Sequence, residues 1–263
     1  MHRIELFGVP MDVASMPDTV TSIAERIRSR VFTQHVVVNV AKLIHMQRDT
    51  ELSASVKSCD IINIDGMGVV WGARFLGHDI PERVAGIDLF YALLHMSSEH
   101  DFPVYFLGAR EQVVHDAVLT LKSRFPQLNV AGWHHGYFWD DEEAVVEKIR
   151  QSGARLLFVA ITSPRKENFI HRWREALGVD FVMGVGGTFD VVAGKVQRAP
   201  LWVQNAGLEW MFRMLQEPGR MWRRYLFTNS AFAWLLLREK LRSRLSRRTP
   251  KRTQFQQASR PSK

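Results

Sequence analysis

The sequence has a single cysteine and no long apolar run, and these two absences narrow the class of protein. Cys59 has no partner for an intramolecular disulfide, which is typical of a reducing compartment. The first residues, MHRIELFGVPMD, have no continuous apolar core behind their charges, so they do not predict a secretory signal. The best membrane-like stretch, residues 225–237, has 13 residues and contains Thr, Asn and Ser, which is too short to span a bilayer.

Acidic residues are scarce towards the carboxyl end of the chain. Residues 213–252 hold 12 of the 35 Lys and Arg residues but only 2 Asp or Glu, whereas residues 1–212 carry a net charge of −4. We therefore expect a globular body over residues 1–207 and a basic, aromatic-rich helical appendage over residues 208–247. The remaining stretch, residues 248–263, is polar and contains proline, a composition that predicts disorder.

Within the body, continuous apolar runs alternate with amphipathic segments. A hydrophobic content of 46% is enough for a substantial core. Alternation of this kind predicts an α/β fold, with a Rossmann-like, mostly parallel sheet and helices on both faces. The predicted strands are residues 35–40, 60–64, 103–108, 129–138 (strand and loop), 155–161 and 181–187. The predicted helices are residues 41–58, 68–77, 86–100, 110–125, 140–153 and 164–178.

Polar or glycine residues follow four of the predicted strands. Ligands of parallel α/β sheets bind beyond the carboxyl ends of the strands, so we expect these residues to form a polar rim at that edge. Asp65 is notable because an acid directly follows the buried run Ile61–Ile64; its alternative role is to cap the next helix. The other members are Asn39, Thr162, Ser163, Gly184, Gly186, Gly187, Thr188 and Asp190.

The glycines do not predict a nicotinamide cofactor. The dinucleotide-binding fingerprint requires G-x-G-x-x-G, whereas Gly66, Gly68 and Gly72 are spaced one residue too long. The segment GVGGTF, residues 184–189, lacks the third glycine in register. We therefore expect no cofactor.

Several ordered sequence blocks resemble a known family. They are D-G at residue 65, R-V-A-G-x-D from residue 83, G-V-G-G-x-F-D-x-x-A-G from residue 184, and R-A-P…G-L-E-W…R…Q-E-P-x-R from residue 198. Over about residues 8–227 the chain resembles the WecG/TagA/CpsF family of glycosyltransferases (glycosyltransferase family 26). The best-known members transfer N-acetylmannosamine from a UDP-sugar to a polyprenyl-diphosphate-linked N-acetylglucosamine, with inversion, during synthesis of bacterial surface polymers.

The resemblance implies a GT-E type Rossmann-like fold, no required metal, and an appendage that reaches the membrane. Asp65 would be the catalytic base, with Arg83 as a second catalytic residue. The implied substrate-binding residues are Asn39, Gly66, Lys166, Glu167, Gly186, Gly187 and Asp190 in the body. In the appendage they are Arg213, Arg220 and Arg223, which match arginines of the family's R…E-P-x-R-x-x-R block.

The chain departs from the family pattern near the expected donor pocket. The family often has G-x-P-K-Q-E after the sixth strand, but here Lys166 stands in place of the glutamine and Thr162 in place of the glycine. Val37 occupies a position where threonine is common. An ammonium differs from a neutral amide in both hydrogen bonding and charge, so we expect either N-acetylmannosamine or a similar hexose, such as glucose, as the donor sugar.

The chemistry of an inverting transfer can be matched to these residues. The acceptor hydroxyl needs a base, a role for Asp65 if burial raises its pKa, and the departing diphosphate needs cations such as Arg83. The alternative for Arg83 is a surface ion pair with Glu82 or Asp88. A metal site is not predicted, because D-x-D is absent from the sequence and the neighbouring His134 and His135 would point to opposite sides of a strand.

The appendage interleaves aromatic residues with arginines, which favours one partner over two others. It would lie at an anionic membrane surface, on the inner face of the bacterial cytoplasmic membrane, with the body in the cytoplasm. Nucleic-acid binding through the same basic residues is disfavoured, and a purely solvated tail would expose a large apolar patch. The sequence leaves open whether the chain forms a homo-oligomer.

Two function classes remain open from the residues alone. The first is a peripheral membrane glycosyltransferase with a UDP-sugar donor and a polyprenyl-diphosphate-linked sugar acceptor. The second is a non-catalytic α/β module that binds a nucleotide or nucleic acid. Asp65, Arg83 and the ordered family blocks have a role in the first class and none in the second.

Overall fold

A computed structural model of the protein describes residues 2–248, apart from the side chains of Arg220 and of residues 243–248. The tail predicted to be disordered therefore lies outside the described residues from residue 249 onward. The side chain of Arg220, predicted to bind substrate, also lies outside them.

The fold is built on one eight-stranded sheet, which confirms the predicted α/β class. The strand order is β1-β2-β4-β3-β8-β7-β5-β6, and every neighbouring pair is parallel except the β1–β2 hairpin. The strands are β1 (His2–Leu6), β2 (Val9–Val13), β3 (Thr33–Val38), β4 (Ile61–Ile64), β5 (Val104–Gly108), β6 (Val130–His134), β7 (Leu156–Ala160) and β8 (Phe181–Gly184).

Helices cover both faces of the sheet, as the apolar strands require. The first seven helices are α1 (Met16–Arg28), α2 (Val40–Met46), α3 (Thr50–Lys57), α4 (Met67–Leu76), α5 (Gly86–Glu99), α6 (Glu111–Arg124) and α7 (Glu142–Gln151). The others are α8 (Arg165–Trp173), α9 (Thr188–Val192), α10 (Leu201–Asn205), α11 (Glu209–Gln216) and α12 (Pro218–Arg248). Helices α1, α5, α6 and α9 pack on one face, whereas α2, α3, α4, α7, α8 and α12 pack on the other.

Side-chain caps explain where the structure differs from the predicted elements. The strand predicted over residues 35–40 ends at Val38, because the Asn39 side chain accepts a hydrogen bond from the Lys42 backbone N–H (3.0 Å) and begins α2. The helix predicted over residues 41–58 is two helices, because Asp49 caps α3 by accepting from the Leu52 N–H (2.9 Å).

The appendage helix α12 packs directly on the body. Phe232 is buried in the same apolar cluster as β3 and β4, and its ring lies over Gly72 of α4. It also meets Phe7 edge to face, with centroids 5.9 Å apart. Among residues 2–248, no helix is both long and apolar enough to cross a membrane.

Candidate active site

Asp65 lies at the centre of the sheet's carboxyl edge. Its backbone N–H donates to the Val38 carbonyl (2.9 Å), so the ends of β3 and β4 are held side by side. Gly66 follows with a φ of +91°, a conformation that favours glycine, and it is Gly66 that occupies the N-cap position of α4. The alternative role of Asp65 as a helix cap is wrong, since α4 has no side-chain cap.

The Asp65 carboxylate is unpaired but surrounded by charges. Among the described residues it makes no hydrogen bond or ion pair that would fix its ionised form. Burial raises its pKa, and the guanidinium groups of Arg213 and Arg83 oppose that rise. Glu209 raises the pKa further and Lys42 lowers it. A carboxyl group with a raised pKa beside cations is suited to taking up a proton.

Arg83 is held against the edge of β4 by the loop that precedes α5. The Val84 N–H donates to the Ile64 carbonyl (2.9 Å), and Arg83 Nη1 donates to Glu209 Oε2 (3.0 Å). The alternative ion pairs of Arg83 are therefore wrong. Glu82 instead accepts from the Met16 backbone N–H (2.6 Å), and Asp88 binds a different arginine.

Glu209, the first residue of α11, is the meeting point of three guanidinium groups. Besides Arg83, Arg213 Nη2 lies 3.7 Å and Arg198 Nε 3.8 Å from Glu209 Oε1. Arg198 in turn makes a two-pronged ion pair with Asp88, with N–O distances of 2.6 and 2.7 Å. This network joins α11 to the body beside Asp65.

A second charge cluster occupies the ends of β3, β7 and β8. The ammonium groups of Lys42 and Lys166 each lie 2.8 Å from Glu167 Oε1, and Lys42 also donates to the Val37 carbonyl (2.8 Å). All three side chains are buried. Burial disfavours the Glu167 carboxylate, but the two ammonium groups outweigh it and lower the pKa to about 2. Burial, helped by Lys42, lowers the pKa of Lys166 to about 8.

The Lys166 stem crosses the backbone at the end of β8. A Cβ built on Gly184 would lie 2.8 Å from Lys166 Cε, so only glycine leaves room for this path. Beyond it, a Cβ on Gly186 would meet nothing within 4 Å, and one on Gly187 would meet only Asp190 Oδ2 at 3.9 Å. The glycine loop therefore borders open space.

The appendage contributes a mixture of site and surface residues. Arg213 acts electrostatically on Asp65, whereas Arg223 is exposed on α12 with its guanidinium 5.3 Å from the Trp222 ring centroid. Arg224, not predicted as a site residue, acts electrostatically on Lys166. Tyr225 packs edge to face on Trp210 with centroids 5.7 Å apart, which ties α12 to α11.

The structure thus brings most of the predicted residues to one edge in two groups. Asp65, Arg83 and Arg213 form the first, and Lys166, Glu167 and the glycine loop form the second. Asn39 lies between them, and its Cβ would be 3.9 Å from a Cβ on Gly66. Among residues 2–248, no three His, Cys, Asp or Glu side chains are grouped as metal ligands.

Sequence reasoning missed Lys42, Arg198, Glu209 and Arg224. Arg198 and Glu209 belong to the R-A-P and G-L-E-W blocks, so those blocks held a signal. Lys42 gave none, because it is one lysine within an apolar helical segment. A cleft of about 410 Å³ between α4 and α10 also reaches Arg83; its lining includes Met67, Arg74, Asp88 and Leu201.

The carboxyl edge of a parallel α/β sheet is where such folds bind ligands, and here an acid and several arginines lie at that edge. The family model for the glycosyl transferase WecG/TagA/CpsF family matches residues 4–246. The chain belongs to this family. It is therefore placed among enzymes that transfer sugars, and the non-catalytic alternative is not supported.

Two curated relatives from Bacillus are similar over about two thirds of their length. Both are named N-acetylglucosaminyldiphosphoundecaprenol N-acetyl-beta-D-mannosaminyltransferase. The protein of Bacillus spizizenii strain W23 is 39% identical over 173 residues, 66% of this chain and 66% of the relative. That of Bacillus subtilis strain 168 is 33% identical over 179 residues, 68% of this chain and 69% of the relative.

Proposed function

We propose that this protein transfers a hexose, N-acetylmannosamine or a close analogue, from a UDP-sugar to a polyprenyl-diphosphate-linked sugar, with inversion. The observation that carries the proposal is the partly buried Asp65 carboxylate, on which Arg83 and Arg213 act electrostatically. The names of the two Bacillus relatives support the lipid-linked acceptor.

The proposed reaction uses this chain's side chains for proton transfer and charge stabilisation. Asp65 takes the proton of the acceptor hydroxyl, and the oxygen of that hydroxyl forms a bond to C1 of the donor sugar. The bond between C1 and the diphosphate oxygen breaks, and UDP departs with the electron pair. Arg83 and Arg213 stabilise the charge that develops on the diphosphate. Attack from the face opposite UDP inverts C1.

On the donor side, the open glycine loop after β8 accommodates the nucleotide, with Gly186, Gly187 and Asp190 beside it. Lys166 and Glu167 lie at the same edge. The Lys166 ammonium, which Glu167 holds in place, contacts the sugar or diphosphate. Arg220 and Arg223 remain proposed phosphate ligands. For Arg223, that role requires its exposed side chain to turn towards the site.

On the acceptor side, the outer face of α12 docks on an anionic membrane. Its exposed apolar residues alternate with arginines, as interfacial helices do. They are Trp222, Leu226, Phe227, Trp234, Leu237 and Leu241, and α4 adds the exposed Trp71 and Phe75 beside them. A lipid-linked acceptor held in this surface reaches Arg83 through the cleft between α4 and α10.

A UDP-release assay tests the function directly. The purified protein is given a panel of UDP-sugars with a short polyprenyl-diphosphate-linked sugar in anionic vesicles. We expect one donor to give acceptor-dependent UDP release and an inverted product linkage. Acceptor-independent release, or none with any donor, would contradict the proposal.

A further inference from the structure

Glu209 is the residue of the appendage whose carboxylate pairs with the arginines of the site. We propose that Glu209 is a positioning residue that holds Arg83 and Arg213 around Asp65. The ability of Asp65 to accept a proton then depends on the docked position of α11. This inference rests on the proposed role of Asp65 as the base.

The geometry of Glu209 supports a positioning role. Its carboxylate is 14% exposed and receives guanidinium groups from three places in the chain. Arg83 comes from the loop before α5 (3.0 Å), Arg198 from the segment before α10 (3.8 Å), and Arg213 from one turn along α11 (3.7 Å). Among residues 2–248, the Glu209 carboxylate is the one side chain that pairs with both Arg83 and Arg213.

The charges in this network do not cancel. The network has three arginines, Arg83, Arg198 and Arg213, but only two carboxylates. Asp88 pairs with Arg198, and Glu209 is shared by all three arginines. One positive charge is therefore left over, and it faces Asp65.

The charged groups that act on Asp65 come from three elements. Arg213 and Glu209 belong to α11, Arg83 to the loop before α5, and Lys42 to α2. Of these four, Glu209 alone favours the protonated form of Asp65. A Glu209→Gln variant keeps the size of the side chain but adds one unit to the surplus positive charge. That change favours the ionised carboxylate and lowers the pKa of Asp65.

The activity of Glu209→Gln is expected to change in two separable ways. Activity requires ionised Asp65, so the acidic limb of the pH–kcat profile moves to lower pH. The pH at which kcat falls to half of its plateau value is then lower in Glu209→Gln than in the wild type. Because a neutral amide oxygen holds Arg83 less firmly than a carboxylate does, kcat at neutral pH falls about tenfold. A merely structural role would lower activity without moving the limb.

Glu142→Gln is the matched control. Glu142 also begins a helix, is 16% exposed, pairs with Arg172 at 3.1 Å and accepts from Trp173 Nε1 at 2.7 Å, but it lies outside the site. We expect it to leave the profile unchanged. Glu209→Asp keeps the negative charge, so the acidic limb should stay where it is in the wild type. Its side chain is too short to hold the arginines as Glu209 does, so kcat should still be low.

A carbon-13 NMR titration of the Asp65 carboxyl separates this inference from the proposed function. The resonance is assigned by its absence in Asp65→Asn, and its pKa is measured in the wild type, Glu209→Gln and Glu142→Gln. If the pKa of Asp65 is lower in Glu209→Gln but not in Glu142→Gln, the result supports the inference. It does so even if no donor gives turnover and the proposed function fails. An unchanged pKa in a folded Glu209→Gln overturns it, whatever the enzyme activity.

Discussion

Removing the Phe232 side chain should detach helix α12 from the body and lower the enzyme's turnover while leaving the body folded. Phe232 is 6% exposed, and its ring fills the space over Gly72 and against Phe7. Truncating a buried phenylalanine to alanine costs about 3–5 kcal/mol. We expect most of this loss to fall on the docking of α12, because the ring joins that helix to α4 rather than lying between strands.

The consequence for activity follows from the contact between the two appendage helices. Tyr225 on α12 packs on Trp210 of α11, so a displaced α12 leaves Glu209 and Arg213 poorly held. We expect Phe232→Ala to lower kcat by about tenfold or more, since a site residue misplaced by about 1 Å can cost more than that.

The assay pairs UDP release with limited trypsin digestion, because α12 is rich in arginine. In Phe232→Ala we expect rapid cleavage within α12 and a body that still melts cooperatively. The control is Phe227→Ala on the same helix, whose ring is 45% exposed; it should resist cleavage as the wild type does. Wild-type turnover in a Phe232→Ala protein with a cleavable α12 would refute the idea that the docked appendage completes the site.

Three further predictions concern the donor pocket and the membrane face. Gly187→Val should weaken UDP binding about tenfold in calorimetry with little change in melting temperature; it is a cleaner test than Gly186, whose φ of +56° would strain any side chain. Unchanged affinity would remove the glycine loop from the pocket. Donor affinity should fall as pH rises through about 8, where the Lys166 ammonium is lost, and Lys166→Gln should abolish this dependence; a pH dependence that persists would exclude Lys166. Trp234→Glu should reduce cosedimentation with anionic vesicles about fivefold or more, whereas Leu119→Glu, a similarly exposed site on α6, should not; equal loss in both would argue against the α12 surface.

The residues at the carboxyl edge of the sheet could be predicted from the sequence, because each of them directly follows its own strand along the chain. An apolar run followed by Asp65, and another followed by Gly186 and Gly187, are readable one element at a time. Parallel strands then bring such ends together whatever their order. This is why Asp65 and the glycine loop could be assigned to one edge before the strand order β4-β3-β8-β7 was known.

Partners distant in the chain could not be predicted in this way. The neighbouring acids are only the alternative partners of Arg83 in the sequence, and its actual partner Glu209 lies 126 residues away on another helix. The burial of Lys42 beside Glu167 likewise depends on how α2 and α8 meet, which no local pattern records. The N-terminal hairpin was also missed, although Phe7 and Gly8, with φ of +53° and +75°, form a two-residue turn between strands.

The most direct test of the central claim is the turnover of Asp65→Asn in the UDP-release assay with the preferred donor and the lipid-linked acceptor. The amide is nearly the same size but cannot accept the proton, so we predict a kcat about 100-fold or more below the wild type with UDP affinity retained. Folding raises the pKa of Asp65, so the ionised carboxylate disfavours the folded state at neutral pH, and the variant should melt at the same or a higher temperature. Wild-type turnover in a folded Asp65→Asn protein would contradict the assignment of Asp65 as the base.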